Sequence, residues 1–439
     1  MRTTRRSFVT ACGATVLGAA SPTRTVQPDP LTWSRGAWRS DFPALAQEVN
    51  GQPLAYLDSA ATTLRPRQVI SALSRFYETD NANPGAALHT LARRAAGHYG
   101  DARARVARFL NASSPAEIVL TKGTTEAINL VAATWGSTNV GRGDEIVLTT
   151  AEHYSNLLPW RALAERVGAR VVTVGVDEDG RISADRIADA LTPRTRLVAV
   201  SHVSNVLGLI NPVVEICRAA RSRTVAVLID AAQSAPHLRL DVQALGADFV
   251  VCSGHKLLGP MGTGVLWASQ ATLDAMPAYQ LGSNMAHEVD ATSAQLEHGG
   301  LKYQAGTPNV SGAVGLAAAV EVLDRYDRDA IRQHDADLVR HFRNLVTTVP
   351  GLRVFGTLED TGARLPVFTF TLEGIQAGAI VKALDERGVA VRGGDMAALP
   401  LLTRFGVNEA VRASCYLYTT VAEVDRLVDG LRDIARGSR

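Results

Sequence analysis

Cysteine is scarce in this chain, and the four that occur fall into no pattern. Cys12, Cys217, Cys252 and Cys415 are scattered over 439 residues. That spacing excludes a disulfide-stapled scaffold and a cysteine-built metal centre. The three beyond Cys12 are expected to be buried small apolar side chains, and no metal site is expected anywhere. Excess charge is also missing. Lys and Arg total 45 against 43 Asp and Glu, a formal net charge of +2. So near a balance gives no electrostatic footprint for nucleic acid, and the charges read as a solvated surface of mixed sign. A long hydrophobic run is absent as well, so no membrane span is expected.

The chain does have apolar mass in short pieces. Hydrophobic residues make up 46% of it, enough for a large core in two or three domains. The N-terminus stands apart. Thr4-Arg5-Arg6-Ser7-Phe8-Val9 is a twin-arginine pair ahead of a mildly apolar, small-residue stretch from Val9 to Ala20. This resembles a twin-arginine export signal and predicts a mature chain in the periplasm or outside the cell. Residues 1–30 are assigned to this signal and a linker, and a docking segment follows within residues 31–50.

From Tyr56 onward, short β-branched runs alternate with helical periods. The runs are Glu117–Leu120, Glu145–Leu148, Arg170–Val174, Leu197–Val200, Val225–Ile229, Asp248–Val251 and Gly264–Trp267. Unbroken apolar runs suit strands covered on both faces, and helices between them predict an α/β fold with a mostly parallel, seven-stranded sheet. After about Gly315 the pattern changes. One long helix is expected from Ala317 to Leu345, then strands at Val367–Leu372, Ala390–Val391 and Arg412–Tyr418. A closing amphipathic helix carries Val424, Leu427, Val428, Leu431 and Ile434 on one face. The division is thus a large domain over 31–315 and a smaller α+β domain over 316–439.

Chemistry-bearing residues collect just beyond the strand ends. Ser253-Gly254-His255-Lys256 follows one strand, and Asp230 ends another with Gln233 three residues later. Thr124 and Thr125 open a helix after a third, His153 follows a fourth and Asn205 a fifth. The carboxyl edge is where open α/β sheets bind ligands. A lysine fixed there can form a Schiff base, and a carboxylate can hold a pyridine nitrogen protonated. Gln233 can donate to a ring oxygen, and an imidazole at 153 can stack on a ring and move protons. Hydroxyls and free N–H groups at a helix start cradle phosphate. Together they point to pyridoxal 5'-phosphate (PLP) and an amino-acid substrate.

On these residues the chain resembles the class V aminotransferase family of fold type I PLP enzymes, and most its cysteine desulfurase branch. The resemblance runs from about Tyr56 to the C-terminus. Its anchors include Tyr56-Leu57-Asp58-Ser59-Ala60-Ala61, Glu152-His153, Ile229-Asp230-Ala231-Ala232-Gln233, Ser253-Gly254-His255-Lys256, Gly306-Thr307-Pro308-Asn309 and Arg412-Ala413-Ser414. It implies that Lys256 is the Schiff-base lysine and proton-transfer base, with His153 as a second catalytic residue stacked on the ring. Asp230 and Gln233 would hold the ring. Thr124, Thr125, Ser253 and His255 would hold the phosphate. Thr307 would reach the phosphate of a partner subunit in a homodimer. Arg412 would clamp the substrate carboxylate, with Asn205 and Arg392 beside it.

One departure redirects the functional reading. Desulfurases use a cysteine thiolate on a loop before the final Arg-Ala-Ser strand. Here that loop reads Arg392-Gly393-Gly394-Asp395-Met396-Ala397-Ala398, and Ala397 stands where the cysteine should be. A methyl group is no nucleophile. The expected activity is therefore C–S β-elimination on a cysteine derivative, which needs no enzyme thiol. Aminotransfer or epimerisation on the same scaffold, desulfuration through another thiol, and a non-catalytic PLP-binding role are the alternatives.

Overall fold

The computed structural model describes residues 38–85, 88–359 and 361–437. The twin-arginine segment lies outside them. The docking segment enters at Trp38. Its ring stacks on Tyr326 at 3.9 Å, the Phe42 ring meets Tyr418 edge-on, and Arg39 pairs with Glu423 at 2.9 Å.

The main sheet has seven strands: β1 (Ile118–Thr121), β2 (Glu145–Thr149), β3 (Arg170–Val174), β4 (Thr195–Ser201), β5 (Ala226–Asp230), β6 (Phe249–Ser253) and β7 (Gly264–Trp267). Their order is β1-β7-β6-β5-β4-β2-β3. Only β7 runs against its neighbours; the remaining pairs are parallel. β2, β5 and β6 present apolar side chains to both faces, and Ile146, Val147, Leu228, Ile229 and Val251 have no accessible surface. That double burial is why these segments lack polar alternation. Helices α1 (Arg67–Thr79), α2 (Thr90–Phe109) and α4 (Val310–Asp324) pack together, and the short α3 (Thr124–Val131) starts at the end of β1.

A second sheet holds β8 (Leu352–Phe355), β9 (Val367–Leu372), β10 (Arg392–Gly394) and β11 (Ala410–Ser414), in the order β8-β9-β11-β10 and antiparallel throughout. Helices α5 (Arg328–Val346) and α6 (Val421–Gly437) lie against it. Val424, Leu427, Val428 and Leu431 of α6 are fully buried, each contributing about 1.5–3 kcal/mol before entropy is charged. Ala55 and Leu57 join this core from the far end of the sequence, because Ala55–Tyr56 pairs in parallel with Val389–Ala390.

Three secondary-structure expectations are corrected. The helix expected from Ala317 to Leu345 is two helices. α4 ends at Asp324, and the Asp327 side chain caps α5 by accepting from the Asp329 N–H. α4 crosses the expected boundary at 315–316, with Leu316, Val320 and Leu323 in the large core. The strand expected over Arg412–Tyr418 stops at Ser414; Cys415 to Tyr418 leave the ladder to pack inward. The strand placed at Ala390–Val391 is split into the pairing at Val389–Ala390 and β10. Among the described residues, no helix is long and apolar enough to cross a membrane.

Candidate active site

The carboxyl edge of the main sheet and the second sheet face one another across a cleft of about 510 Å³. The sheet side is built first by close approaches. β7 passes so near the loop after β1 that a Cβ on Gly264 would sit 2.4 Å from the Gly123 Cα. A Cβ on Gly254 would lie 2.1 Å from Thr263 Oγ1. Glycine at 254 therefore lets the 3-10 turn Gly254–Lys256 seat directly on β6 and present Lys256 to the cleft.

Burial lowers the Lys256 amine to about 8. Arg412 and Arg392 also lower it, while Asp230 and Asp58 pull it upward. Asp230 ends β5, and burial raises its carboxyl, opposed by the Ala232 N–H at 2.9 Å and by Lys256. Burial, then the charges of Lys256 and Arg412, push His153 to about 4, so its imidazole is neutral near pH 7. Its Nδ1 accepts from the Ser155 N–H at 3.0 Å, which leaves Nε2 as the protonated nitrogen. Burial, then the charges of Lys256 and Arg65, drive His255 to about 4. The Gln233 amide donates to the Ala60 carbonyl at 2.8 Å.

At the start of α3, the Thr124 N–H and hydroxyl meet Ser253 Oγ at 2.9 and 2.8 Å, and Thr125 Oγ1 lies 2.6 Å from Ser155 Oγ. The first-turn N–H groups of a helix have no partner within it, so this corner is an anion cradle.

The opposite side comes from the second sheet. Buried Arg412 of β11 donates to the Asn205 carbonyl at 3.0 Å and to Asp58 at 3.3 Å. Arg392 of β10 holds the same Asp58 carboxylate through contacts of 2.8–3.2 Å. The Asn205 amide donates to the Met396 carbonyl at 2.9 Å. Beyond β10 the chain makes a tight turn, with Met396 and Ala397 both at φ +53°, a conformation that side chains with a Cβ rarely take.

The structure thus brings Thr124, Thr125, His153, Asn205, Asp230, Gln233, Ser253, His255, Lys256, Arg392 and Arg412 into one cleft. Thr307 is not among them. It is exposed, accepts from the Asn83 amide at 3.1 Å, and lines a separate groove with Lys122 and Gln304. Three contributors were missed in the sequence. Asp58 pins both arginines. Ser201, beside Asp230 in the β4–β5 ladder, turns into the cleft a buried hydroxyl that finds no protein partner. Glu152 is buried beneath His153, bonded by Thr149 and Asn156, and burial raises its carboxyl to about 7. Asp58 and Glu152 stood inside the motifs quoted above; Ser201 carried no signal.

The donor set fits PLP. Asp230 suits a pyridinium nitrogen, the α3 corner a phosphate and Lys256 the aldehyde carbon. The buried Ser201 Oγ and Arg412 Nε, both without protein partners, are polar atoms turned toward a ligand.

The chain matches known proteins over most of its length. The family described as aminotransferase class V matches residues 55–427. A cysteine desulfurase of Synechococcus elongatus is 44% identical over 400 residues, covering 91% of this chain and 63% of that longer protein. A probable cysteine desulfurase of Streptomyces coelicolor is 44% identical over 405 residues, covering 91% of this chain and 96% of the relative. Among solved structures, the cysteine desulfurase CsdA of Escherichia coli superposes with a TM-score of 0.84 at 36% identity, over 92% of this chain and 99% of that one.

Proposed function

Because the chain belongs to the class V aminotransferase family of fold type I PLP-dependent enzymes, we propose that it cleaves the C–S bond of a cysteine derivative by β-elimination. The observation that carries this reading is Ala397. Its methyl group lines the cleft on the turn where the desulfurase branch needs a thiolate. Among the described residues no other thiol stands in for it. Cys217, Cys252 and Cys415 are buried, and burial pushes Cys217 and Cys252 up to about 12 and Cys415 well above the ordinary thiol value.

When bound, PLP delocalises the electron pair left at the substrate Cα. Asp230 would hold the ring nitrogen protonated, with Gln233 and the neutral His153 fixing the ring plane. Thr124, Thr125, Ser253 and His255 would hold the phosphate. Arg412 and Asn205 would bind the substrate carboxylate, with Arg392 exchanging part of its hold on Asp58 for it. Lys256 takes the Cα proton, and its lowered amine is a base suited to that task. The Cβ–S bond then breaks with its electron pair on sulfur, which takes up the proton from Lys256 and leaves as a thiol, and hydrolysis of the released enamine gives pyruvate and ammonia.

The same reading makes the enzyme a homodimer in which Thr307 of one copy serves the phosphate of the other. The Arg5-Arg6 pair supports a separate reading, export of the folded protein by the twin-arginine route with a mature N-terminus near residue 21.

The test is incubation of the purified holoenzyme with L-cysteine, L-cystine and S-substituted cysteines, following pyruvate, sulfide, alanine and optical rotation together. Pyruvate without alanine is expected. Alanine with sulfur release would restore desulfuration, and loss of rotation without pyruvate would mean epimerisation.

A further inference from the structure

The walls of the cleft divide by task. The α3 corner takes an anion, Lys256, Asp230 and His153 surround a ring, and Arg412 with Asn205 takes a carboxylate. What is left for a substrate side chain is the segment Gly393 to Ala397, and the one ionisable group on that segment is Asp395.

Asp395 is held as firmly as the groups around the ring. Its Oδ2 accepts from the Tyr154 hydroxyl at 2.6 Å and its Oδ1 from the Ala397 N–H at 2.9 Å. Its carbonyl accepts from the Ala398 N–H, closing the turn. The turn is tied down from outside by the Tyr154 N–H on the Ala397 carbonyl at 2.8 Å and by Asn205 on Met396. The Tyr154 and Ala397 donors hold its carboxyl below the ordinary range, so it carries its charge near neutral pH. A fixed carboxylate on the side-chain wall rewards a cation or N–H donor at the far end of a substrate and repels an anion there.

We infer that Asp395 is a specificity-determining residue that selects amino acids whose side chain ends in an ammonium group. Cysteine derivatives S-substituted with an aminoalkyl group have that arrangement. Each has its one α-carboxylate for Arg412 and a distant ammonium for Asp395, with no second carboxylate for Asp395 to repel. The selection rests on reading the cleft as an amino-acid site, and it makes free L-cysteine, which lacks a distal cation, a poor substrate.

Binding of non-eliminable amino acids separates this from the reaction itself. Dissociation constants for L-ornithine, L-lysine, L-norvaline, L-norleucine and L-glutamate are measured by calorimetry on the holoenzyme and on the D395N and Y154F variants. Asn keeps an acceptor for the Ala397 N–H and a polar contact to Tyr154, so D395N preserves the turn; an unchanged melting temperature checks this. The wild type is expected to bind at least one cationic ligand about tenfold or more tightly than its neutral counterpart, and L-glutamate most weakly. D395N should erase the preference while leaving the neutral ligands within about twofold, and Y154F should retain it. Equal binding of cationic and neutral ligands by the wild type, an undiminished preference in D395N, or no binding of any amino acid would overturn the inference. If the preference holds while no sulfur amino acid yields pyruvate, β-elimination fails and the selectivity of Asp395 stands.

Discussion

On one side of the cleft Lys256, Asp230 and His153 stand on strand ends of a buried parallel sheet, and their protonation is shifted chiefly by loss of water. On the other side Arg392, Arg412 and Asp395 stand on a small antiparallel sheet and its turn, and each is held by a named partner: Asp58, Asp58 again, and Tyr154. The first wall is tuned by burial; on the second, Arg392 and Asp395 are shifted chiefly by their partners, while burial acts first on Arg412. Desolvation sets a reactive group's basicity wherever the substrate sits. If Asp395 selects the substrate side chain, as inferred, that choice rests on a turn, which can be rewritten without disturbing the sheet. Ala397, on which the proposed β-elimination rests, falls on this second wall.

The largest expected effect separates the walls outright. Lys256→Ala should lower kcat for pyruvate formation by about 10⁴-fold and remove the visible absorbance band, while leaving the second wall intact. A band retained near the wild-type position would place the reactive amine elsewhere.

Next in size is Arg412→Ala. Losing the buried clamp should raise KM for the amino acid by about 10²-fold, as expected when one partner of a buried charge pair is removed. Cofactor content, measured by absorbance, should stay as in the wild type. An equal loss of cofactor would show that the two walls act as one.

The smallest effect concerns the support of the first wall. Burial raises Glu152 to about 7, with a further push from the charge of Asp230. A folded-state value above the unfolded one means that the native state holds more protons in between. The contribution is therefore complete below the ordinary carboxylate range and is lost as pH rises toward 7. Urea unfolding of the holoenzyme between pH 4.5 and 7 should show stability falling with pH, by at most about 1.4 kcal/mol per pH unit from this group. Glu152→Gln should flatten that slope relative to the wild type. Parallel slopes would show that Glu152 stays ionised throughout.

The first wall was largely legible in the sequence because each residue follows a local apolar run whose end marks the sheet edge. Arg170–Val174 and Gly264–Trp267 were read to the residue. The second wall was less so. Asp58 sits in a quoted motif, yet its partner Arg392 is 334 positions away, and nothing local pairs them. The helix break at Arg325–Asp327 was hidden because buried apolar side chains continue on both sides, from Leu323 to Ile331; the Asp327 cap was its only local sign. The strand was carried too far past Ser414 because Cys415-Tyr416-Leu417-Tyr418 is as apolar as a strand. The Tyr416 hydroxyl donates to the Pro236 carbonyl and the Tyr418 hydroxyl accepts from the Leu64 N–H, so both are drawn off the sheet.

The parallel pairing of Ala55–Tyr56 with Val389–Ala390 has a kinetic meaning. It joins a segment made early in synthesis to one made near the end, and Asp58 meets both of its arginines only after that join. Closing so long a loop costs entropy before any contact repays it, which slows folding. The clamp on Asp58, whose partner Arg412 lies 354 positions away, is therefore expected among the last parts to assemble.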